Sequence, residues 1–243
     1  MSLTANQKLI YDKCVKELPL ANASLSSEYY YDSLPQCIID AVYSIGVKYT
    51  STKKTVIRYC DNVSVTRIHD PLVDPSDAHT VNELILNISR YVNYGADALF
   101  RNKQKTSTKN GILKADAVYR FATVLAANGI QTLADIRSAS SATIDRIEQQ
   151  IKEIPGQKSG ISFSYFLMLS GDNSHMKIDR WLLRFVGEAL EAKKFSNVAQ
   201  AYTDLLAVCD KLKKVYPNLT PRLLDHTIWS YIKKKEQNSK KKK

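Results

Sequence analysis

A short break between two helical stretches is the first feature of this sequence that points to chemistry. Residues 147–154, IEQQIKEI, have helical periodicity, the chain then breaks over Pro155-Gly156-Gln157-Lys158-Ser159-Gly160, and an apolar run continues to Gly171. Two helices joined by such a turn form a helix-hairpin-helix, which directs backbone N–H groups and a helix N-terminus toward a phosphate. Lys158 adds a charge at the same place. The pattern predicts a phosphate-binding turn, although helical proteins without any nucleic-acid partner also contain Pro-Gly turns.

An acidic residue opens the helix that follows. The stretch MKIDRWLLRFVGEAL places Asp179 before Arg180 and Trp181, with Arg184 further along. A helix dipole keeps a carboxylate at this end ionised, which suits a role in charge stabilisation. The alternative is that Asp179 is an N-cap and nothing more. Trp181 either faces a binding pocket or packs on the protein.

Taken together, these segments resemble the helix-hairpin-helix (HhH-GPD) superfamily of DNA glycosylases, which includes endonuclease III. Ile154-Pro155-Gly156 opens the hairpin as in the family, and Ile178-Asp179 with Arg184 matches a second family motif with one extra residue. Upstream, AVYSIGVKYTSTKKTV and KNGILKADAVYRFATVL resemble two further helical motifs of the family. The resemblance runs from Leu34 to Val186 in the family's order.

The resemblance implies an all-α, two-lobed HhH-GPD glycosylase-like fold with a DNA-binding cleft between the lobes. It implies base excision from double-stranded DNA, in which a damaged or mispaired base is flipped out and its N-glycosidic bond is hydrolysed. Asp179 occupies the position of the carboxylate that stabilises the cationic sugar and orients water. No cofactor is implied, because the cysteine loop that holds the iron–sulfur cluster of endonuclease III is absent.

Several positions depart from the family pattern. Gly160 stands where bifunctional members carry a nucleophilic Lys, so we expect a mono-functional glycosylase with little or no AP-lyase activity. Lys158 replaces the second hairpin glycine. Arg180 and Trp181 replace a Thr-His pair, and Gly46 stands where the family has the Gln that fills the gap left by the flipped base. We assign these last three residues to the base pocket, but the base itself cannot be carried over.

The family comparison also predicts the organisation of the chain. Residues 34–171 are expected to form a six-helix-barrel-like lobe that includes the hairpin at about 147–170. Residues 1–33 and 172–232 are expected to form a second helical lobe, followed by a disordered basic tail at 233–243. Charge for DNA binding is assigned to the hairpin and to Lys48, Lys53, Lys54 and Arg184.

Composition agrees with a polyanionic partner. The 243 residues carry a formal charge of +11 and have a pI near 9.4. Seven Lys and one Glu place +6 of this charge in residues 233–243, which leaves +5 for the rest. A basic tail adds non-specific affinity for phosphate.

The sequence offers no membrane span or signal peptide, so we expect a cytoplasmic protein, associated with the nucleoid if bacterial. We also expect a monomer. The four cysteines are widely separated and the four histidines share no metal-like spacing. We therefore expect no metal site and interpret the cysteines as small buried hydrophobes.

Helical periodicity extends over most of the chain. Thr4 is predicted to cap a first helix that ends near Leu18, Thr80 another that ends near Val92, and Gly129 is predicted to end the helix that starts at Leu113. A final helix is predicted in TPRLLDHTIWSYI.

Two other functions compete with the glycosylase interpretation. One is a DNA-binding protein that keeps the fold without the chemistry, since the hairpin and pocket positions depart from the pattern. The other is a helical protein-interaction domain whose charge lies mainly in the basic tail.

Overall fold

A computed structural model describes residues 2–192 and 194–241, and within these ranges the chain is all-α, with twelve α-helices and no named strand. The predicted all-α class is confirmed. The helices are α1 Ala5–Glu17, α2 Leu34–Tyr43, α3 Tyr49–Val63, α4 Val81–Arg90, α5 Ala96–Phe100, α6 Lys114–Ala127, α7 Leu133–Ser138, α8 Ser141–Lys152, α9 Ile161–Leu169, α10 Arg180–Ala189, α11 Val198–Leu212 and α12 Pro221–Lys241.

Side-chain caps fix where several helices begin. The hydroxyls of Thr4, Thr80 and Thr132 accept N–H groups of the first turn, and the residue three positions later bonds back to each cap. These reciprocal bonds satisfy donors that the helix itself cannot pair. The predicted caps at Thr4 and Thr80 are confirmed. Gly129 follows α6 with a φ of +75°, the left-handed conformation expected at a helix end.

The chain divides into two compact units. We call Ser27–Asp172 the hairpin unit, and Met1–Ser26 with Asn173–Lys243 the terminal unit. The sequence placed the corresponding boundaries at 34–171 for one lobe and at 1–33 with 172–232 for the other. The structure adds the 3₁₀ turn Ser27–Tyr29 and the following tyrosines to the hairpin unit, because Tyr31 is buried in its core.

The core of the hairpin unit is built around α2. All ten residues of this helix are buried, as its nearly uniform apolar composition requires. The apolar helix α9 lies against it, and Phe121, Phe163 and Phe166 form a cluster of aromatic rings with centroids 5.2 to 6.4 Å apart. These contacts fix the second helix of the hairpin in the core.

The terminal unit has its own core, formed by α1, α10, α11 and α12. Cys14 and Cys209 are buried in it, and all four cysteines are buried and free, as interpreted from the sequence. The predicted disorder of the tail is wrong for residues 233–241, because α12 continues through Lys241. Ion pairs of Lys235 with Glu188 and of Arg184 with Glu236 hold this end of the helix. Residues 242–243 lie outside the described residues.

Candidate functional site

The hairpin consists of two consecutive turns between α8 and α9. In the first, Pro155 and Gly156 occupy the two central positions, and the Gln157 N–H donates to the Ile154 carbonyl at 2.9 Å. Gly156 has a φ of +87°, which a turn of this kind requires at its third position. In the second turn the Gly160 N–H donates to the Gln157 carbonyl at 3.0 Å.

These bonds correct part of the phosphate-binding prediction. The N–H groups of Gln157 and Gly160 are used inside the turns, and both residues are buried, so neither is directed outward. Lys158 and Ser159, the central residues of the second turn, are exposed. Pro155 is half-buried and has no N–H. The exposed residues of the hairpin turns are therefore Gly156, Lys158 and Ser159.

A basic loop between α5 and α6 packs against the hairpin. A Cβ on Gly156 would lie 2.5 Å from the Cβ of Thr106, so only glycine permits this contact. At its start the loop is anchored on α3, where the Asn102 amide donates to Thr55 at 2.8 Å and the Gln104 amide donates to Ser51 at 3.1 Å. The loop thus extends from α3 to the hairpin turn.

Buried Lys114 ties the same loop to the turn after α2. Its ammonium group donates to the carbonyls of Tyr43 at 3.0 Å and Ile45 at 2.7 Å, and to the Gln104 side chain at 3.4 Å. The next residue of that turn, Gly46, is exposed with a φ of +73° and open space around its Cα. The position assigned to the base pocket therefore lies on an exposed turn of the hairpin unit.

Three segments of the hairpin unit thus converge: the turn after α2, the loop between α5 and α6, and the hairpin. We call their exposed cationic residues, together with those at the start of α3, the basic face: Lys48, Lys54, Arg101, Lys103, Lys105, Lys109 and Lys158. The sequence assignment missed the four from the loop, although four cations within Arg101–Asn110 are a visible signal. The contact of Thr106 with Gly156 shows that this loop adjoins the hairpin, and the bonds of Lys114 show that it adjoins the turn after α2.

Lys53 is only partly available for an anionic ligand. Its ammonium lies 2.8 Å from Glu28, which also pairs with Arg67. Burial raises the pKa of Glu28, but hydrogen bonds and charges from Arg67 and Lys53 outweigh it and lower the pKa to about 2. Lys53 therefore has an internal counter-ion, whereas Lys48 and Lys54 are exposed.

In the terminal unit, Asp179 is the N-cap of α10. Its Oδ1 accepts the N–H of Trp181 at 2.8 Å and that of Leu182 at 3.4 Å. The cap explains why the helix starts at Arg180. Since the residue is half-buried, part of its carboxylate remains accessible.

A second carboxyl group lies near Asp179. Asp225 on α12 is 5% exposed, and its Oδ2 accepts the Lys177 N–H at 2.7 Å. Burial, followed by the charge of Asp179, raises the pKa of Asp225 to about 8, despite the opposing effects of the Lys177 N–H and charge. The sequence gave no signal for this residue, because it lies on a helix distant along the chain.

Two cation–indole pairs lie in the terminal unit, one directly after Asp179 and one on α12. The Arg180 guanidinium lies 4.7 Å from the Trp181 ring centroid, and the Lys233 ammonium lies 4.5 Å from that of Trp229. Burial and the charge of Arg180 lower the pKa of Lys233. Two like charges near each other favour an anionic ligand, whereas the Trp229 ring is already stacked on His226, with centroids 5.7 Å apart.

Arg184, assigned to DNA from the sequence, lies in an ion-pair network. Its side chain contacts Glu188 at 3.0 Å and Glu236 at 3.4 Å. The Arg184 side chain is 41% exposed, but both of these partners compete with a phosphate for its guanidinium group. Arg180 is therefore better placed than Arg184 to bind an anion.

No group of three or more His, Cys, Asp or Glu side chains that could hold a metal ion occurs in the described residues. Among the helices of these residues, none combines the length and apolarity needed to cross a membrane.

The chain belongs to the family described as Domain of unknown function (DUF8548), whose model matches residues 8–233. The matched residues include the hairpin unit and most of the terminal unit. They therefore contain both the hairpin and Asp179. Searches of curated proteins and of solved structures gave no match.

Proposed function

We propose that this protein is a mono-functional DNA glycosylase that acts as a monomer on double-stranded DNA. It would bind the duplex through the basic face, accept a flipped damaged or mispaired base, and hydrolyse its N-glycosidic bond with the help of Asp179. The biological role would be base-excision repair inside the cell. The resemblance to HhH-GPD glycosylases supplies the reaction, and two features support it: the basic face of the hairpin unit and the capped carboxylate of Asp179 in the terminal unit.

The observation that carries the proposal is the convergence on the hairpin. Lys114 joins the turn after α2 to the basic loop, and Thr106 brings this loop against the hairpin, so that exposed cations from separate parts of the sequence lie on adjoining segments. Phosphates bound to such a face would fix the position of one DNA strand. The exposed Lys158 and Ser159 would contribute at the hairpin itself.

Asp179 suits the catalytic step because of its position. Its Oδ1 is fixed by two backbone N–H groups, which holds the carboxylate in one orientation. A carboxylate fixed in this way stabilises a cationic sugar without reorganising during the reaction. Arg180 and Trp181, which follow it directly, would contact a phosphate and a base.

The decisive test separates the carboxylate charge from the helix cap. Asn caps helices about as well as Asp, so Asp179→Asn keeps the fold and removes the charge. Purified wild-type protein and this variant are incubated with duplexes that carry uracil, alkylated purines, oxidised guanine or mismatches, and alkali then reveals abasic sites. We expect cleavage only after alkali, and a loss of at least about 100-fold in Asp179→Asn.

Asp210→Asn is the matched control, because Asp210 is an exposed carboxylate of the same unit. It should release base at the wild-type rate. Equal activity of wild type and Asp179→Asn would refute catalysis by Asp179. Strand cleavage without alkali would refute a mono-functional reaction.

A non-catalytic DNA-binding protein is the second candidate, and the cap of Asp179 favours it, because capping alone accounts for the residue. This function predicts no base release from any duplex together with salt-sensitive binding. Binding itself is tested by the dependence of affinity on salt. Lys158→Gln should reduce the slope of log affinity against log salt by about 1, whereas Lys16→Gln, on α1, should leave it unchanged.

A further inference from the structure

The segment that leads to Asp179 is attached to the first turns of α12. The Asn173 carbonyl accepts the Arg222 N–H at 3.3 Å, and the Lys177 N–H donates to Oδ2 of Asp225 at 2.7 Å. One element of the terminal unit therefore holds both ends of the stretch 173–177. The helical periodicity of α12 does not predict either hydrogen bond, because the partner residues lie in a segment without regular structure.

A continuous series of hydrogen bonds joins Asp225 to Asp179. Asp225 accepts the Lys177 N–H, the Lys177 carbonyl accepts the Asp179 N–H at 2.7 Å, and the Asp179 carboxylate accepts the Trp181 N–H at 2.8 Å. Met176 and Ile178 are buried on either side of Lys177, which restricts the segment further. A displacement of Lys177 would therefore change the direction of the Asp179 carboxylate.

A buried carboxyl group is an unusual acceptor for the Lys177 N–H if the contact has a structural role alone. A neutral hydrogen-bond acceptor would hold the Lys177 N–H without cost, whereas a buried acid beside a second carboxylate is destabilising when ionised. With a pKa of about 8, Asp225 is protonated at neutral pH. At pH 7 Asp225 then adds no negative charge beside Asp179.

We propose that Asp225 is a positioning residue that directs the Asp179 carboxylate toward the substrate through its hydrogen bond to the Lys177 N–H. This inference rests on the proposed function, because it requires that Asp179 acts on a cationic sugar. Two variants separate the hydrogen bond from the ionisable group. Asp225→Asn keeps a carbonyl acceptor and cannot ionise, whereas Asp225→Ala removes the acceptor.

The experiment compares the binding of two abasic-site analogues in otherwise identical duplexes. One carries a cationic pyrrolidine in place of the sugar and the other a neutral tetrahydrofuran, so the ratio of their affinities measures the effect of a correctly placed carboxylate. This ratio needs no knowledge of the base. At pH 7 we expect a ratio of about 10 or more for the wild-type protein and a ratio near 1 for Asp179→Asn.

For the variants of Asp225, we expect the ratio to fall about five-fold in Asp225→Ala and to stay within about two-fold of wild type in Asp225→Asn. Asn197→Ala is the structural control. It removes the N-cap of α11 in the same unit, where the Asn197 side chain accepts the Gln200 N–H, and should not change the ratio.

The pH dependence provides a second measurement. In the wild-type protein the ratio should change with a midpoint near pH 8, because ionised Asp225 adds a charge beside Asp179. In Asp225→Asn this transition should be absent, and any titration of the pyrrolidine itself is common to both proteins. The pH dependence also tests the proposal if Asp225→Ala does not fold. Identical pH profiles of the wild-type protein and Asp225→Asn would overturn the proposed role of Asp225.

The possible failures are distinguishable. A wild-type ratio near 1 would contradict the proposed function, and the positioning role with it. A large wild-type ratio that Asp225→Ala leaves unchanged would refute the positioning role alone. Equal losses in Asp225→Ala and Asn197→Ala would also refute it, because they would show a general effect of destabilisation.

Discussion

The two units shift the pKa of a carboxyl group withdrawn from solvent in opposite directions. In the hairpin unit, Glu28 lies between two cations, with Arg67 at 2.5 Å and Lys53 at 2.8 Å. Although burial raises its pKa, these partners hold it at about 2. In the terminal unit, Asp225 has the Asp179 carboxylate as a neighbour, and burial together with that charge raises its pKa to about 8.

We interpret this difference as one between a structural charge and a group that serves the proposed function. The charge of Glu28 is compensated, and its ion pairs join the 3₁₀ turn before α2 to α3 and to the chain that follows α3. The charge of Asp225 would not be compensated, so the group stays protonated beside a carboxylate. A pKa shifted by desolvation and a like charge is typical of functional sites. The predictions below test this contrast.

A large effect on stability at pH 7 is expected at Lys114, a buried charged residue of the hairpin unit. Lys114→Met has a similar volume but leaves the carbonyls of Tyr43 and Ile45 without their donor. We expect a decrease of about 3 kcal/mol in the free energy of unfolding, measured by urea denaturation at pH 7. Lys109→Met, at an exposed position of the neighbouring loop, should change stability by less than about 0.5 kcal/mol. Equal stability of both variants would show that Lys114 contributes no structural bond.

Glu28→Gln should have the next largest effect. It removes a partly buried ion pair and should cost about 2 kcal/mol at pH 7. Because the folded-state pKa is lowered, the stabilisation is present above the unfolded pKa near 4.5 and is lost as the pH falls toward 2. Urea denaturation at pH 7 and pH 3 should show this decline. Exposed Glu153→Gln is the control, and a difference independent of pH would contradict the assignment to ionisation.

Asp225→Asn should have the opposite pH dependence. A raised folded-state pKa means that the wild-type protein loses stability as the pH rises from about 4 to about 8. The variant lacks this loss, so its relative stability should increase with pH by at most about 1.4 kcal/mol per unit. Denaturation at pH 5 and pH 8 measures the trend, with exposed Asp210→Asn as the control. A constant difference would refute the raised pKa.

Much of the fold followed from local signals in the sequence. The caps at Thr4 and Thr80 and the left-handed Gly129 depend on residues within one helical turn, so their patterns are visible without tertiary contacts. Helix α11 was not predicted, although Ala201, Leu205 and Val208 have helical spacing. The tail prediction failed because composition does not show that Lys235 reaches Glu188, which is 47 residues earlier.

The candidate site was predictable only in part. The hairpin turn and Asp179 were identified by spacing, since glycine, proline and a helix-starting acid act locally. The basic loop and Asp225 depend on contacts between segments far apart in the sequence, such as that of Thr106 with Gly156. The Gln157 N–H points inward because it donates to the Ile154 carbonyl within the first of two consecutive turns. The pattern of residue types does not specify which N–H groups these turns use.

The conformation of Gly160 bears on how the chemistry of this chain could change during evolution or engineering. With a φ of +72°, a side chain at this position would cost about 1 kcal/mol of backbone strain, and its Cβ would lie 3.0 Å from Cε of Lys152 and 3.1 Å from Oε1 of Glu148. A change to lysine would therefore place its amine on a strained turn, and the side chains of Lys152 and Glu148 on α8 would have to shift to admit it. Under the proposed function, a route from hydrolysis to lyase chemistry at this position would include relief of this strain as well as the new amine.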